Sequence, residues 1–178
     1  MRILFSFLLV FNMLLVYGQD KDKDNPIAIN VPAGSRLIQH TYAKGVQVYV
    51  CTMDPKDSSR FTWSFKEPRA GLYADKGYHK LIGKHYFDEG KNPTWELNDG
   101  SRISGVKVQQ ASAPDTTAIL WLLLKATRSG GSGSLKQVQF IQRIRTNGGK
   151  APAIANRQKK GQTLEVPYAA EYLFYSDK

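Results

Sequence analysis

The segment GVQVYVCT, at residues 45–52, alternates valine with other residues along most of its length. Its valines, Val46, Val48 and Val50, fall on one face of an extended chain, because neighbouring side chains of a strand point to opposite faces. The residues between them fall on the other face. This period of two predicts a β-strand and sets the fold class from which the rest of the sequence is interpreted.

Shorter segments with similar alternation follow at near-regular spacing along the chain. They lie at residues 61–65, 94–97, 106–109, 138–145 and 166–174. No long segment has a clean 3.6-residue period with helix caps, so little helix is expected. The pattern predicts an all-β fold, an antiparallel β-sandwich or barrel-like single domain. Under about a fifth of its residues should be helical, well below the globular average of roughly a third.

One segment, AILWLLLKA at residues 118–126, is apolar on both faces. Periodicity alone does not separate a central strand from a buried helix here. Its short length and its strand-like neighbours favour a central strand, with Trp121 buried in the core.

The N-terminal residues have the composition of a secretory signal peptide. Arg2 precedes an almost unbroken apolar run of 15 residues, and Gly18 is small enough to precede a cleavage site. An uncleaved membrane anchor is the alternative, but a spanning helix needs about 20 residues. We therefore predict a signal peptide at residues 1–18, a flexible lead-in at 19–30 and one β-rich domain at 31–178. The protein is expected to be exported, either secreted or held in the periplasm or cell envelope, with no later segment long enough to cross a membrane.

Positive charge is concentrated in one part of this basic chain, whose formal net charge is +10. Residues 116–164 contain no Asp or Glu but nine Lys and Arg residues. Such a segment attracts polyanions over long range, although net charge also serves solubility alone. On the predicted strand, Arg143 and Arg145 share one face and form a paired ridge. With Arg128 and Lys150 on neighbouring turns, they are candidates for binding an anionic polymer.

The segment HYFDEGKNPTWELNDGS brings together one histidine, four acids and a tryptophan. The ring of Trp95 suits stacking on a sugar. Glu96 and Asp99, with His85, are candidate acid and base groups for glycoside chemistry. The structural alternative is simpler: Asp99 and Gly100 form a hairpin turn, Trp95 belongs to the core, and Glu96 lies on a solvated face or pairs with a nearby Lys or Arg.

Motifs for other chemistry are absent from the sequence. It has no CxxC pair, no HExxH, no phosphate-binding glycine loop and no nucleophile elbow. Its three histidines lack metal-ligand spacing. We therefore expect no metal, no cofactor and no specific recognition of nucleic acid.

Six segments, taken in order, resemble one known family. They read VYVC, HYF, PTWELNDGS, AILWLLLKA, FIQRIRTNGGKAP and VPYAAEYLFY. Together they are similar to the exported domain-of-unknown-function family 3455 over nearly all of the chain after the leader. The resemblance brings no activity with it. It implies a second cysteine shortly after the GG-x-AP turn, where this chain has Asn156, so a family disulfide to Cys51 is absent here. As the only cysteine of the chain, Cys51 either pairs with another molecule or is a buried thiol, and the burial preference of free cysteine favours the buried thiol.

Three functions remain open on the sequence alone. The first is an extracellular or envelope binding module for an anionic or polyhydroxyl polymer, which the charged segment favours. The second is a hydrolase or lyase acting on a glycan through Glu96 and Asp99, and the third is a structural envelope protein. The enzyme is favoured only if Glu96, Asp99 and His85 point into one concave pocket.

Overall fold

The computed structural model describes residues 29–177, which form an eight-stranded barrel. Every strand runs antiparallel to its neighbour in sequence, and the last strand pairs with the first to close the sheet. The strands are β1 (Arg36–Asp54), β2 (Asp57–Tyr73), β3 (Leu81–Phe87), β4 (Pro93–Leu97), β5 (Arg102–Ala111), β6 (Trp121–Gly130), β7 (Phe140–Gly148) and β8 (Thr163–Ser176). The all-β prediction is confirmed, because the only named helical element of these residues is one short 3-10 turn, Arg157–Lys159. Closure of the sheet leaves no open edge.

The predicted signal peptide, residues 1–18, lies outside the described residues and stays a prediction. Of the predicted lead-in, only residues 29 and 30 are described, and Ile29 is fully buried. The packed region therefore begins before the predicted domain boundary at residue 31. None of the helical structure within residues 29–177 has the length and apolar composition needed to cross a membrane.

The interior of the barrel is packed solidly at one end. Leu97, Ile103 and Phe174 project there from three strands, and Leu135 and Val138 come from the loop between β6 and β7. All five are at most 6 % exposed. Towards the other end, the inward positions carry larger aromatic and polar side chains, which leave a hollow described below.

Residues 121–126 of the segment AILWLLLKA lie in strand β6, as predicted, and this part of the strand packs on both faces. Leu122 and Leu124 face the barrel interior, where Leu124 belongs to the main core. Trp121 and Leu123 lie on the outer face in a second apolar cluster with Ile29 and Ile144. The outer face of β6 is therefore covered by the chain segment that precedes β1, which explains why the sequence shows no polar side for this strand.

Strand β7 contains an irregularity that the sequence pattern did not reveal. Its pairing with β8 shifts register between Ile144 and Asn147, and Arg145 adopts a left-handed backbone conformation with φ of 46°. A β-bulge of this kind changes which face the following side chain points to. Arg143 faces inward beside Tyr172, whereas Arg145 faces outward. The prediction that the two arginines share one face is wrong for this reason.

Candidate functional site

A cavity of about 390 Å³ occupies the hollow end of the barrel. Its lining comes from the ends of the strands nearest the β3–β4, β5–β6 and β7–β8 loops. The apolar part of the lining is formed by Phe65, Pro68, Phe87, Pro93, Trp95, Ile119, Leu120, Leu122 and Leu124. A concave, mostly apolar site of this volume is typical of small-molecule binding in the mouth of a barrel.

Three rings in contact, two of them stacked, form part of the cavity wall. The His85 and Trp95 rings lie parallel with centroids 4.6 Å apart, and Tyr172 contacts both at 5.1 Å and 5.3 Å. His85 Nδ1 donates a hydrogen bond of 2.9 Å to the carbonyl oxygen of Thr94. Because a carbonyl oxygen only accepts, this bond fixes the neutral tautomer in which Nε2 is the free acceptor.

His85 is held in its neutral form by its surroundings. Burial lowers the pKa of His85 to about 3, against the raising effect of its bond to Thr94, and the positive charge of Arg143 lowers it further. A neutral imidazole on a buried wall contributes shape and a hydrogen-bond acceptor to the cavity rather than charge.

Several buried polar groups on the cavity wall have no hydrogen-bond partner of normal geometry among residues 29–177. They are Gln47 Nε2, Trp95 Nε1 and the Tyr172 hydroxyl. Their residues are only 2 %, 1 % and 1 % exposed. Buried polar groups are normally paired, so these three could pair with a molecule in the cavity, although four similar groups of the described chain, on Thr41, Trp121, Tyr168 and Ser176, do not line it.

Positive charge lines the cavity without any opposing acid. Lys107, Arg143 and Lys150 all contribute to its lining, and no Asp or Glu of the described chain does so. Arg143 donates from Nε at 3.1 Å and from Nη2 at 2.8 Å to the carbonyl oxygen of Leu120. The site is therefore electropositive, which favours anionic over cationic molecules.

Comparison with known proteins places the chain in a family. A family model described as "Protein of unknown function (DUF3455)" matches residues 32–176, which include all eight strands of the barrel. The chain belongs to the DUF3455 family. The resemblance drawn from the six sequence segments is confirmed. No curated protein and no solved structure matches the chain significantly.

The candidate catalytic residues of this DUF3455 chain do not meet in one pocket. His85 lies inside the barrel, stacked on Trp95. Glu96 follows Trp95 on β4, so its side chain faces outward, where it accepts a 2.6 Å hydrogen bond from the Tyr86 hydroxyl. That bond, with the nearby charge of Lys84, lowers the pKa of Glu96, so this carboxylate lacks the raised pKa that a general acid needs. The structural alternative accounts for Glu96 by its 3.2 Å ion pair with Lys84.

Asp99 has a structural role at the packed end of the barrel. Its Oδ1 accepts hydrogen bonds from the backbone and hydroxyl of Ser101, and its Oδ2 accepts two more from Ser134. The Ser101 hydroxyl in turn accepts a bond from the backbone of Leu135, one of the residues that fill the barrel end. Asp99 thus ties the β4–β5 turn to the β6–β7 loop, and Gly100 in that turn has the positive φ of 83° that the turn requires.

We expect Asp99→Asn to destabilise the fold by about 1 kcal/mol at pH 7, a discounted value because the carboxylate is exposed. Burial alone would raise the pKa of Asp99, but the four hydrogen bonds outweigh it and hold the pKa well below its usual range. A lowered pKa in the folded state stabilises the protein above about pH 4 and loses that effect as the pH falls further. Urea unfolding from pH 7 to pH 3 should therefore show the difference from wild type shrinking below pH 4.

Asp115→Asn provides the matched control for Asp99. Asp115 makes the same kind of turn but bonds only to Thr117, two residues away. Asp115→Asn should lower the free energy of unfolding by less than Asp99→Asn, because the Asp115 side chain holds no distant loop. Equal losses for both variants would contradict the role of Asp99 as a link between loops.

The remaining predicted site residues are scattered. Trp95 is buried in the core rather than presented on a surface, as the structural alternative expected. Arg145 pairs on the outer face with Glu171 at 3.0 Å. Lys150 lies at the cavity rim, and Arg128 lines a separate polar depression that also contains Asp88. Only Trp95, His85, Arg143 and Lys150 are brought together, and they meet at the cavity.

Sequence reasoning missed most of the cavity lining. Gln47 lies in a strand that alternation predicts, but the pattern does not distinguish a polar residue that is buried and faces inward from one that faces solvent. Arg143 shares a strand face with Ile141, which lies in the interior core, and this two-residue relation was the available signal for an inward arginine. Tyr172 falls on the apolar face of the last predicted strand, and the sequence pattern gives no reason to place it in a site.

Cys51 is a buried free thiol, as predicted. Its Sγ lies 3.6 Å from the carbonyl oxygen of Asn156. Position 156 is where the family resemblance implies a second cysteine, so the structure places this position directly beside Cys51.

Proposed function

We propose that this DUF3455 chain is a binding protein that holds a small, partly apolar molecule inside the barrel. The observation that carries the proposal is the cavity of about 390 Å³ whose wall combines aromatic and aliphatic side chains with buried polar groups that lack partners. Ligand sites usually combine a largely apolar lining with a few convergent polar groups, and this volume lies within their range of roughly 300 to 1,000 Å³.

The binding module expected from the sequence is retained in this proposal, but its site changes. The paired arginine ridge is not formed, since Arg143 faces inward and Arg145 is neutralised by Glu171. Binding of an anionic or polyhydroxyl polymer by the other exposed basic residues stays a prediction, as does export. The glycan hydrolase is not favoured, because Glu96 and Asp99 face different neighbours outside the cavity.

A fluorescence titration with N-phenyl-1-naphthylamine, an uncharged apolar dye, tests the proposal. The dye should bind the wild-type chain at one saturable site. Leu122→Trp replaces an aliphatic side chain on β6 with a larger aromatic one that fills part of the cavity. It should weaken dye binding by at least about 10-fold, the equivalent of about 1.4 kcal/mol.

Leu37→Trp is the matched control for Leu122→Trp. Leu37 is 47 % exposed on β1 and does not line the cavity, so the same substitution there should leave dye binding unchanged. Thermal unfolding confirms that both variants fold. Absence of saturable dye binding, or equal binding by the wild type and Leu122→Trp, would refute the cavity as a ligand site.

A further inference from the structure

Arg143 is the one arginine of residues 29–177 that is partly buried, and it has no acidic partner. Arg145, two residues away, pairs with Glu171, and Arg69 pairs with Glu67 and Glu165. Within residues 29–177 no carboxylate lies at salt-bridge distance from Arg143, although its side chain is partly buried. A partly buried cation without a counter-ion is costly, so this position favours an anion supplied from outside the protein.

The guanidinium of Arg143 retains unused hydrogen-bonding capacity. It has five N–H donors in a planar fork. Its hydrogen bonds within the described chain run from Nε and Nη2 to one carbonyl oxygen, that of Leu120. This carbonyl fixes the orientation of the group beside the Tyr172 hydroxyl, and two contacts to one oxygen leave donors of the fork for an acceptor in the cavity.

The buried groups without a partner on the same cavity wall are also donors. Gln47 Nε2 and Trp95 Nε1 carry N–H groups, and the Tyr172 hydroxyl can donate its proton. Burial raises the pKa of the Tyr172 hydroxyl, and the charge of Arg143 together with the nearby Tyr168 hydroxyl and Arg143 guanidinium partly offsets that effect, so Tyr172 and Arg143 lie side by side. A carboxylate accepts hydrogen bonds only, and several donors beside one cation match it better than they match an amine or an alcohol.

Resting on the proposed function, we infer that the cavity binds a small amphipathic carboxylate whose charged group lies on Arg143. Its hydrocarbon part lies against Trp95, Leu122 and Leu124, which line the same cavity. Lys107 and Lys150 at the lining add positive potential that attracts the anion as it approaches. The ligand class is thus fixed by one oriented guanidinium and by the absence of acids from the described lining.

Displacement of N-phenyl-1-naphthylamine by three ten-carbon probes tests this inference at fixed pH and salt, below the micellar concentration of each probe. The probes are decanoate, 1-decanol and decylamine, which share a chain and differ in headgroup. The dissociation constant of decanoate, measured by dye displacement, should be at least about 10-fold lower than that of decanol, and decylamine should bind most weakly. Equal affinity of decanoate and decanol for the wild type overturns the inference, whereas failure of the dye itself to bind refutes the proposed function.

Three arginine variants assign the preference for decanoate to the inner side chain, that of Arg143. Arg143→Gln should bring decanoate to the affinity of decanol while leaving decanol unchanged, and Arg145→Gln should keep the wild-type preference because Arg145 faces Glu171 outside the barrel. Arg143→Lys keeps the charge without the fork and should retain part of the preference. If Arg143→Gln does not fold, the reduced preference of Arg143→Lys for decanoate and the headgroup comparison on the wild type test the inference instead. A full preference for decanoate in a folded Arg143→Gln variant would overturn the assignment.

Discussion

Replacing Trp121 by alanine should lower the free energy of unfolding by about 3–5 kcal/mol, the usual loss when a buried aromatic side chain is deleted. Trp121 is 3 % exposed and packs with Ile29, Leu123 and Ile144 on the outer face of the barrel. Alanine would leave a cavity under the segment that precedes β1, and the closed sheet cannot collapse to fill it. Urea unfolding followed by far-ultraviolet circular dichroism measures the loss.

Trp63→Ala is the control for the Trp121 experiment. Trp63 lies on β2, is only partly buried and has Lys159 Nζ 5.8 Å from its ring centroid. Its removal should cost clearly less than the removal of Trp121. A loss below about 1 kcal/mol for Trp121→Ala, which is typical of a surface position, would show that the outer cluster does not stabilise the barrel.

Because of His85, the protein should begin to lose stability at a higher pH than the range in which its carboxylates take up protons. The pKa of His85 is lowered by burial to about 3 in the folded chain, whereas an unfolded histidine titrates near 6.5. Between these values only the unfolded state binds the proton. The free energy of unfolding should therefore fall by about 1.4 kcal/mol per pH unit below pH 6.5, or about 2.7 kcal/mol by pH 4.5.

Urea unfolding at several pH values between 7.5 and 4.5 isolates this effect by comparison with His85→Gln. Glutamine retains a donor for the carbonyl of Thr94 but does not titrate, so its stability should depend less on pH. His79→Gln is the matched control, because it makes the same substitution at a side chain that is 86 % exposed on the surface. Parallel pH profiles for the wild type and His85→Gln would show that His85 is not held neutral in the folded state.

The positions of the strands could be predicted from the sequence because alternation is a local property of the chain. The segments around Val48, Trp95 and Leu123 all lie in strands, and the apolar segment AILWLLLKA was interpreted correctly from its length and neighbours. The Asp99–Gly100 turn and the free, buried Cys51 were predictable for the same reason. Each depends on residue types whose conformational or burial preference is strong wherever they occur.

The candidate site was decided by the tertiary structure alone. Alternation divides a strand into two faces but does not say which face is inside, and in this barrel both faces of β6 are buried. A single bulge at Arg145 then separates two arginines that a regular strand would place together. The cavity joins Gln47, His85, Arg143 and Tyr172 across more than 120 residues of sequence, because only closure of β8 onto β1 brings their strands around one interior.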